Sequence, residues 1–234
     1  MLQLEGLNAW YGDSHILHDV SLKVADGARV AVLGRNGAGK STLLKSVMNG
    51  GPRVAGRVSF QGRTLDPMPA YQRARLGLAL VPEDRRIFTH VTVAENIGMA
   101  AHAAAPGRPA LAPDEVLQSM PMLQPLATRL GGELSGGQQQ MLAVARGLAA
   151  RPRLMLLDEP TEGLAPVIVE QLAAQVRRFC GRDQVGLLLC EQNIWFARHC
   201  TSTCYILSTG RIAFEGSWAE FDAAGESARR HLAL

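Results

Sequence analysis

Arg29-Val-Ala-Val-Leu-Gly34-Arg-Asn-Gly37-Ala-Gly39-Lys40-Ser41 is the stretch on which the reading of this chain turns. Arg29–Leu33 is a compact apolar run, the pattern of a strand buried on both faces. Gly34–Gly39 then predicts a tight turn, and Ser41–Met48 a helix. The turn fits G-x-x-x-x-G-K-[ST], with the strand before it and the helix after it that this motif requires. Glycines let successive backbone N–H groups face inward around phosphate oxygens, and the helix N-terminus adds partial positive charge. Lys40 is placed to reach the β- and γ-phosphates of a nucleoside triphosphate, and the Ser41 hydroxyl to join Mg²⁺. The bland alternative, a glycine-rich connection, leaves the lysine and serine unexplained.

Two more motifs follow. Leu154-Met-Leu-Leu157 is an apolar strand running into Asp158-Glu159. A carboxylate at the C-terminal end of a buried parallel strand faces the ligand crevice. Asp158 is expected to orient Mg²⁺ through its water shell and Glu159 to polarise an attacking water. Taken alone, the same residues could be a strand entering an acidic turn. Between the two motifs, Leu134-Ser-Gly-Gly-Gln138 opens a helix. Ser135 suits the N-cap, and Gly136 and Gly137 expose backbone donors, so this is either a second anion site or a glycine-rich capped helix.

Working outward, Leu2, Leu4 and Leu7 begin an expected edge strand, and Val20, Leu22 and Val24 alternate with polar residues. Val54–Phe60 returns to strand, Ala70–Arg75 is a short helix, and Leu78–Val81 a strand. Residues 84–150 are expected to form a helical insertion, with Thr92-Val-Ala-Glu95 as a capping box. After Leu154–Leu157 come a helix near Val167–Phe179, strands at Val185–Cys190, Cys204–Leu207 and Arg211–Phe214, and a terminal helix ending at Leu234. Alternating strands and helices predict an α/β fold with a mostly parallel sheet.

The 234 residues suit one folding unit spanning 1–234, with 1–83 and 151–234 as the α/β part and 84–150 inserted. The longest uncharged stretch, Val116–Thr128, carries Pro121 and Pro125 and is far short of the ~20 apolar residues a membrane span needs. No secretory leader is read at Met1–Glu5, so a soluble cytosolic chain with reduced thiols is expected. A net charge of +3 is too mild to call for nucleic acid or anionic lipid. His199, Cys200 and Cys204 lack the paired spacing of a structural zinc site.

The order of motifs, phosphate loop at 34–41, Leu-Ser-Gly-Gly-Gln at 134–138 and Asp-Glu at 158–159, resembles the ATP-binding subunits of ABC transporters over essentially the whole chain. The resemblance implies a P-loop NTPase with a RecA-like core, an antiparallel β-subdomain and an inserted helical subdomain. It implies ATP and Mg²⁺ as cofactors. Nucleotide binding falls to Gly34, Arg35, Asn36, Gly37, Ala38, Gly39, Lys40, Ser41 and Thr42. Ser41, Glu83 and Asp158 stand at the metal. Tyr11 stands where an aromatic stacks on adenine, with core packing as its other reading and Trp10 as the neighbouring candidate. Ser135, Gly136 and Gly137 are implied to act in trans, capping the γ-phosphate held by a second ATPase subunit, and Gln138 to touch ribose. The resemblance further implies transmembrane permease subunits, a solute-binding protein reached through them, and a place at the cytoplasmic face of the inner membrane. The segment Asp84–His90 resembles the contact with the membrane subunits.

Three positions depart from the common pattern. Glu83 replaces a glutamine, Thr161-Glu-Gly-Leu-Ala-Pro166 lacks an aspartate, and Gln192 stands in place of a switch histidine. A glutamine amide donates a hydrogen bond but carries no proton. Together with Val81–Phe88 and Glu191-Gln-Asn193, these resemble the second ATPase subunit of branched-chain amino acid importers. Urea and short-chain amide importers are alternatives, the urea type suited comparably by Ser14–Leu17 and Leu33–Asn36, as is a weakly hydrolysing regulatory subunit. Glu159, Lys40 and Gln192 are the expected catalytic residues.

Overall fold

The computed structural model describes residues 1–182 and 184–232. Two sheets organise it. Strands β1 (Leu2–Tyr11), β2 (Ser14–Val24), β4 (Arg53–Phe60) and β5 (Arg63–Thr64) form an antiparallel sheet in the order β2-β1-β4-β5. The second sheet holds β3 (Arg29–Leu33), β6 (Leu78–Val81), β7 (Leu154–Asp158), β8 (Gly186–Glu191), β9 (Thr203–Ser208) and β10 (Arg211–Ser217), in the order β10-β9-β3-β8-β7-β6. It is parallel except for the β9–β10 hairpin. The expected edge strand at Leu2–Leu7 is a correction: β1 is paired on both sides, which its buried Leu2, Leu4, Leu7 and Ala9 now explain.

Strands β3, β7 and β8 are apolar between their end residues because both their faces are covered. Val30 and Val32, Leu154 and Leu156, and Leu188 and Cys190 face helix α1 (Lys40–Met48) and the antiparallel sheet. Ala31 and Leu33, Met155 and Leu157, and Leu187 and Leu189 face the opposite core. That second core is closed by α5 (Gly136–Ala149), α6 (Pro166–Arg182) and α7 (Ile194–Cys200). With no polar position along these strands, their charged groups can stand only at strand ends, and that is where the candidate site forms.

Residues 84–150 fold into α3 (Val93–Gly98), α4 (Pro113–Ser119), α5 and three 3-10 turns, with one isolated bridge between Thr92 and Leu130. Thr92 and Glu95 make the expected capping box. Gly147 lets α5 lie close on the sheet, since a methyl there would come within 2.9 Å of Met155 Cε and Val81 Cγ2. The chain end folds as α8 (Trp218–Ala224) and α9 (Glu226–Arg229), while Leu234, the expected helix end, lies outside the described residues. No helix among the described residues is long and apolar enough to cross a membrane. The four cysteines are buried free thiols.

A buried arginine fixes the far end of α1. Arg73, in helix α2 (Ala70–Arg75), donates to the α1 carbonyls of Ser46 at 3.1 Å and Val47 at 2.7 Å. It also donates to Met68 O at 2.9 Å and Leu65 O at 3.1 Å. The carbonyls at a helix C-terminus are unsatisfied within the helix, and a cationic fork answers them. Arg73→Lys keeps the charge but not the planar fan, so unfolding by urea should show a loss of about 2–4 kcal/mol; an unchanged midpoint would contradict this role.

Candidate functional site

The phosphate loop leaves β3 at Gly34 and enters α1 at Lys40. Gly37 and Gly39 adopt positive φ of 79° and 107°, which a side chain would resist. A methyl at Gly34 would lie 2.6 Å from the Leu207 carbonyl oxygen. Gly39 has no side chain to cap α1, so no side-chain acceptor occupies its first-turn N–H groups.

Lys40 is buried, and its ammonium donates to Gly34 O at 2.6 Å and Arg35 O at 2.8 Å. It also meets Glu159 Oε1 at 3.1 Å. Glu159, just past β7, is buried, holds a left-handed φ of 43°, and donates its N–H to Cys190 O at 2.9 Å. That strained backbone turns its carboxylate back toward the phosphate loop. The other oxygen, Oε2, accepts from Gln192 Nε2 at 2.7 Å, and the same amide reaches Asn36 Oδ1 at 2.7 Å. A continuous polar line thus runs from Lys40 through Glu159 and Gln192 to Asn36.

Ser41 donates its hydroxyl to Asp158 Oδ1 at 3.0 Å. Burial pushes the Asp158 carboxyl up to about 6; the Ser41 bond opposes this, and the charges of Glu159 and Glu83 add to it. Burial first, then Glu83 and Glu159, raise Glu162 as well. Carboxylates so crowded favour a cation among them. Among the described residues no group of three or more His, Cys, Asp or Glu is arranged to hold a metal unaided. That donor set fits Mg²⁺, which is held by one or two carboxylates or hydroxyls together with water and substrate phosphates. Glu83 is exposed, near enough for its charge to act on Asp158 but with no direct bond to Ser41 among the described contacts.

Tyr11 is 42% exposed at the end of β1, so the core-packing reading of this residue is corrected. Trp10 is engaged elsewhere, stacked on His15 at 4.4 Å beneath the Arg53 guanidinium at 4.2 Å. Among the described residues, Ser135 and Gln138 bond each other and not the cluster around Lys40. Ser135 N donates to Gln138 Oε1 at 2.9 Å, and Gln138 N to Ser135 Oγ at 3.4 Å, a capping box at the exposed start of α5. Thr42 lies buried in the first turn of α1.

One residue of the site was missed in the sequence. Glu191 ends β8 with its carboxylate buried. Oε1 accepts from Thr161 N at 3.1 Å and Thr161 Oγ1 at 2.6 Å. Oε2 accepts from the N–H groups of Gln192 at 2.8 Å and Asn193 at 2.9 Å. Its signal was an acid closing an otherwise apolar strand, the same signal that marked Asp158.

Residues 17–162 match the family model described as ABC transporter. The chain belongs to the ABC transporter family. It is 37% identical to the high-affinity branched-chain amino acid transport ATP-binding protein BraG of Pseudomonas aeruginosa, over 94% of both chains. It is 36% identical to a probable branched-chain amino acid transport ATP-binding protein, LivF, of Archaeoglobus fulgidus, over 93% of this chain and 92% of that one. Among solved structures it resembles an ATP-binding subunit of an ABC transporter, with 26% identity, a TM-score of 0.79, and 97% and 94% of the two chains covered. It shares its fold with a dimeric ATP-binding cassette bound to ADP and Pi, with 23% identity, a TM-score of 0.81, and 93% and 98% covered. The chain is thus an ABC ATPase.

The raised Asp158 carboxyl has a consequence for the free ABC chain. Its proton is held to about pH 6 in the folded state and to about 3.9 when unfolded. The stability this group contributes is therefore complete below the unfolded value and is lost as pH rises through 6. Asp158→Asn should gain thermal stability over wild type as pH rises from about 4 to 7, measured with chelator and without nucleotide. A gap in Tm that stays flat with pH would reject this.

Proposed function

We propose that this chain binds and hydrolyses ATP with Mg²⁺ to drive an importer of branched-chain amino acids. The observation that carries the reading is Glu159, held between Lys40 at 3.1 Å and Gln192 at 2.7 Å at the mouth of the phosphate loop. BraG and LivF support the solute class by their names. The chain is read as one domain, with 84–150 as its helical insertion.

Gly34–Thr42 would cradle the phosphates through backbone N–H groups, with Lys40 donating to the β- and γ-phosphate oxygens. Ser41 and Asp158, with Glu83 nearby, would hold Mg²⁺, which supplies charge neutralisation on the phosphates when bound. Glu159 orients a water for in-line attack and takes its proton as the new O–P bond forms and the bond to the β-phosphate oxygen breaks. Gln192 fixes the second Glu159 oxygen and can donate to the γ-phosphate, but moves no proton. Tyr11 stacks on adenine. The exposed Ser135–Gly137 helix start serves the nucleotide of a second ATPase subunit, with Gln138 toward its ribose. Glu159→Gln should retain ATP binding, lower phosphate release by at least ~100-fold and trap a dimer on ATP. Near-normal turnover by that variant would remove Glu159 from its role.

The 84–90 segment borders an apolar groove of about 630 Å³ lined by Leu80, Arg86, Phe88, Met99 and Arg146. Arg146 Nη1 is buried there without a hydrogen-bond partner, while its Nη2 holds the Arg85 and Arg86 carbonyls. We read this groove as the seat of a permease segment at the cytoplasmic face of the inner membrane, the permease in turn meeting a solute-binding protein. Arg85 is tied to Gln139 and Gln140, so it is a poor probe of docking. Phe88→Ala and Arg86→Glu should each reduce co-purification of the permease subunits and leave ATP affinity within about twofold. Undiminished recovery of the complex would exclude the groove.

A further inference from the structure

We infer that Glu191 is a positioning residue for hydrolysis: its two carboxylate oxygens tie the loop after Glu159 to the loop bearing Gln192, so that the Gln192 amide meets the Glu159 carboxylate. This rests on the roles proposed above for Glu159 and Gln192.

The division of labour is by oxygen. Among the described residues, Oε1 serves Thr161, two residues beyond Glu159, and Oε2 serves Gln192 and Asn193. All four donors are N–H or O–H groups, so the side chain must accept on both sides. A glutamate carboxyl presents an oxygen to each loop, whereas an amide has a single acceptor oxygen. Burial alone raises the Glu191 carboxyl, and the bonds from Thr161, Asn193 and Gln192 oppose it. The clasp also sits one residue past the last β7–β8 rung, Asp158 opposite Cys190. Beyond that rung the Glu159 N–H still reaches the Cys190 carbonyl, but nothing in the ladder holds Thr161 or Gln192. Glu191 supplies that hold. An aspartate is one methylene short of spanning both loops, and a glutamine turns a donor onto one of them.

Glu191→Gln therefore frees one loop while keeping size and shape. In the full chain with ATP and Mg²⁺, kcat should fall at least ~10-fold with KM for ATP within ~2-fold, the signature of a lost transition-state interaction. Hydrogen exchange should quicken in the peptide spanning 159–164 or that spanning 190–195. In a Gln192→Ala background the same change should cost little further, because its route of action is already gone. Thr161→Val removes one donor and should give a smaller kcat loss that Thr161→Ser restores. Wild-type kcat in Glu191→Gln, or an equal fold loss with and without Gln192, overturns the inference. Normal turnover by Gln192→Ala alone would overturn the Gln192 role itself, and is read from that single variant.

Discussion

A lysine ammonium taken out of water has to be answered on every side, and Lys40 is answered by two phosphate-loop carbonyls and Glu159. The Coulomb attraction of a buried pair barely offsets the desolvation of its members unless further hydrogen bonds complete both. Here they do: Lys40 closes the loop back on itself, and Glu159 is completed by Gln192. The pair joins the end of β3 to the end of β7, and Gln192 joins that corner to the end of β8. Removing either charge would leave the other unanswered in a dry site, so the arrangement is a constraint on three strand ends at once.

That constraint explains why the strands have no polar interior. Each of β3, β7 and β8 sends alternate residues into two different cores. A polar side chain on either face would be buried without a partner. Charges are displaced to the C-terminal edge, where the loops supply N–H donors and the crevice admits solvent. Asp158, Glu159 and Glu191 all stand there. Burial first, then the charges of Glu159 and Glu83, raise the Asp158 carboxyl. Carboxylates crowded in this way favour a cation among them.

Much of this was legible in the sequence because it is local. The Gly34–Ser41 loop, the Ser135 and Thr92 capping boxes and the apolar runs of β3 and β7 depend on residues within one turn or strand of each other. What was not legible is lateral. Leu2–Leu7 alternates as an edge strand would, and its second partner, β4, is about fifty residues away in sequence. Gln192 could be named as a switch position, but not that its amide would meet both Asn36 and Glu159. Glu191 was passed over because an acid after an apolar run reads as a strand end; only its neighbour across the sheet, the loop after β7, gives it work.

The helix start at Ser135 makes the opposite case. Its capping box satisfies one side-chain pair, yet Ser135 and Gly136 are exposed to solvent. The N-terminus of a fourteen-residue helix keeps partial positive charge whether or not an anion is near. Among the described contacts, Ser135 and Gln138 bond each other and no acidic side chain of the Lys40 cluster. On the proposed reading, a phosphate held on the loop of one chain would be met by the helix start of a second chain related by twofold symmetry. In that arrangement each Glu159 would work beneath a helix dipole it does not own. Hydrolysis would then require two chains together, and on the proposed reading a permease that moves them apart or together would control the chemistry.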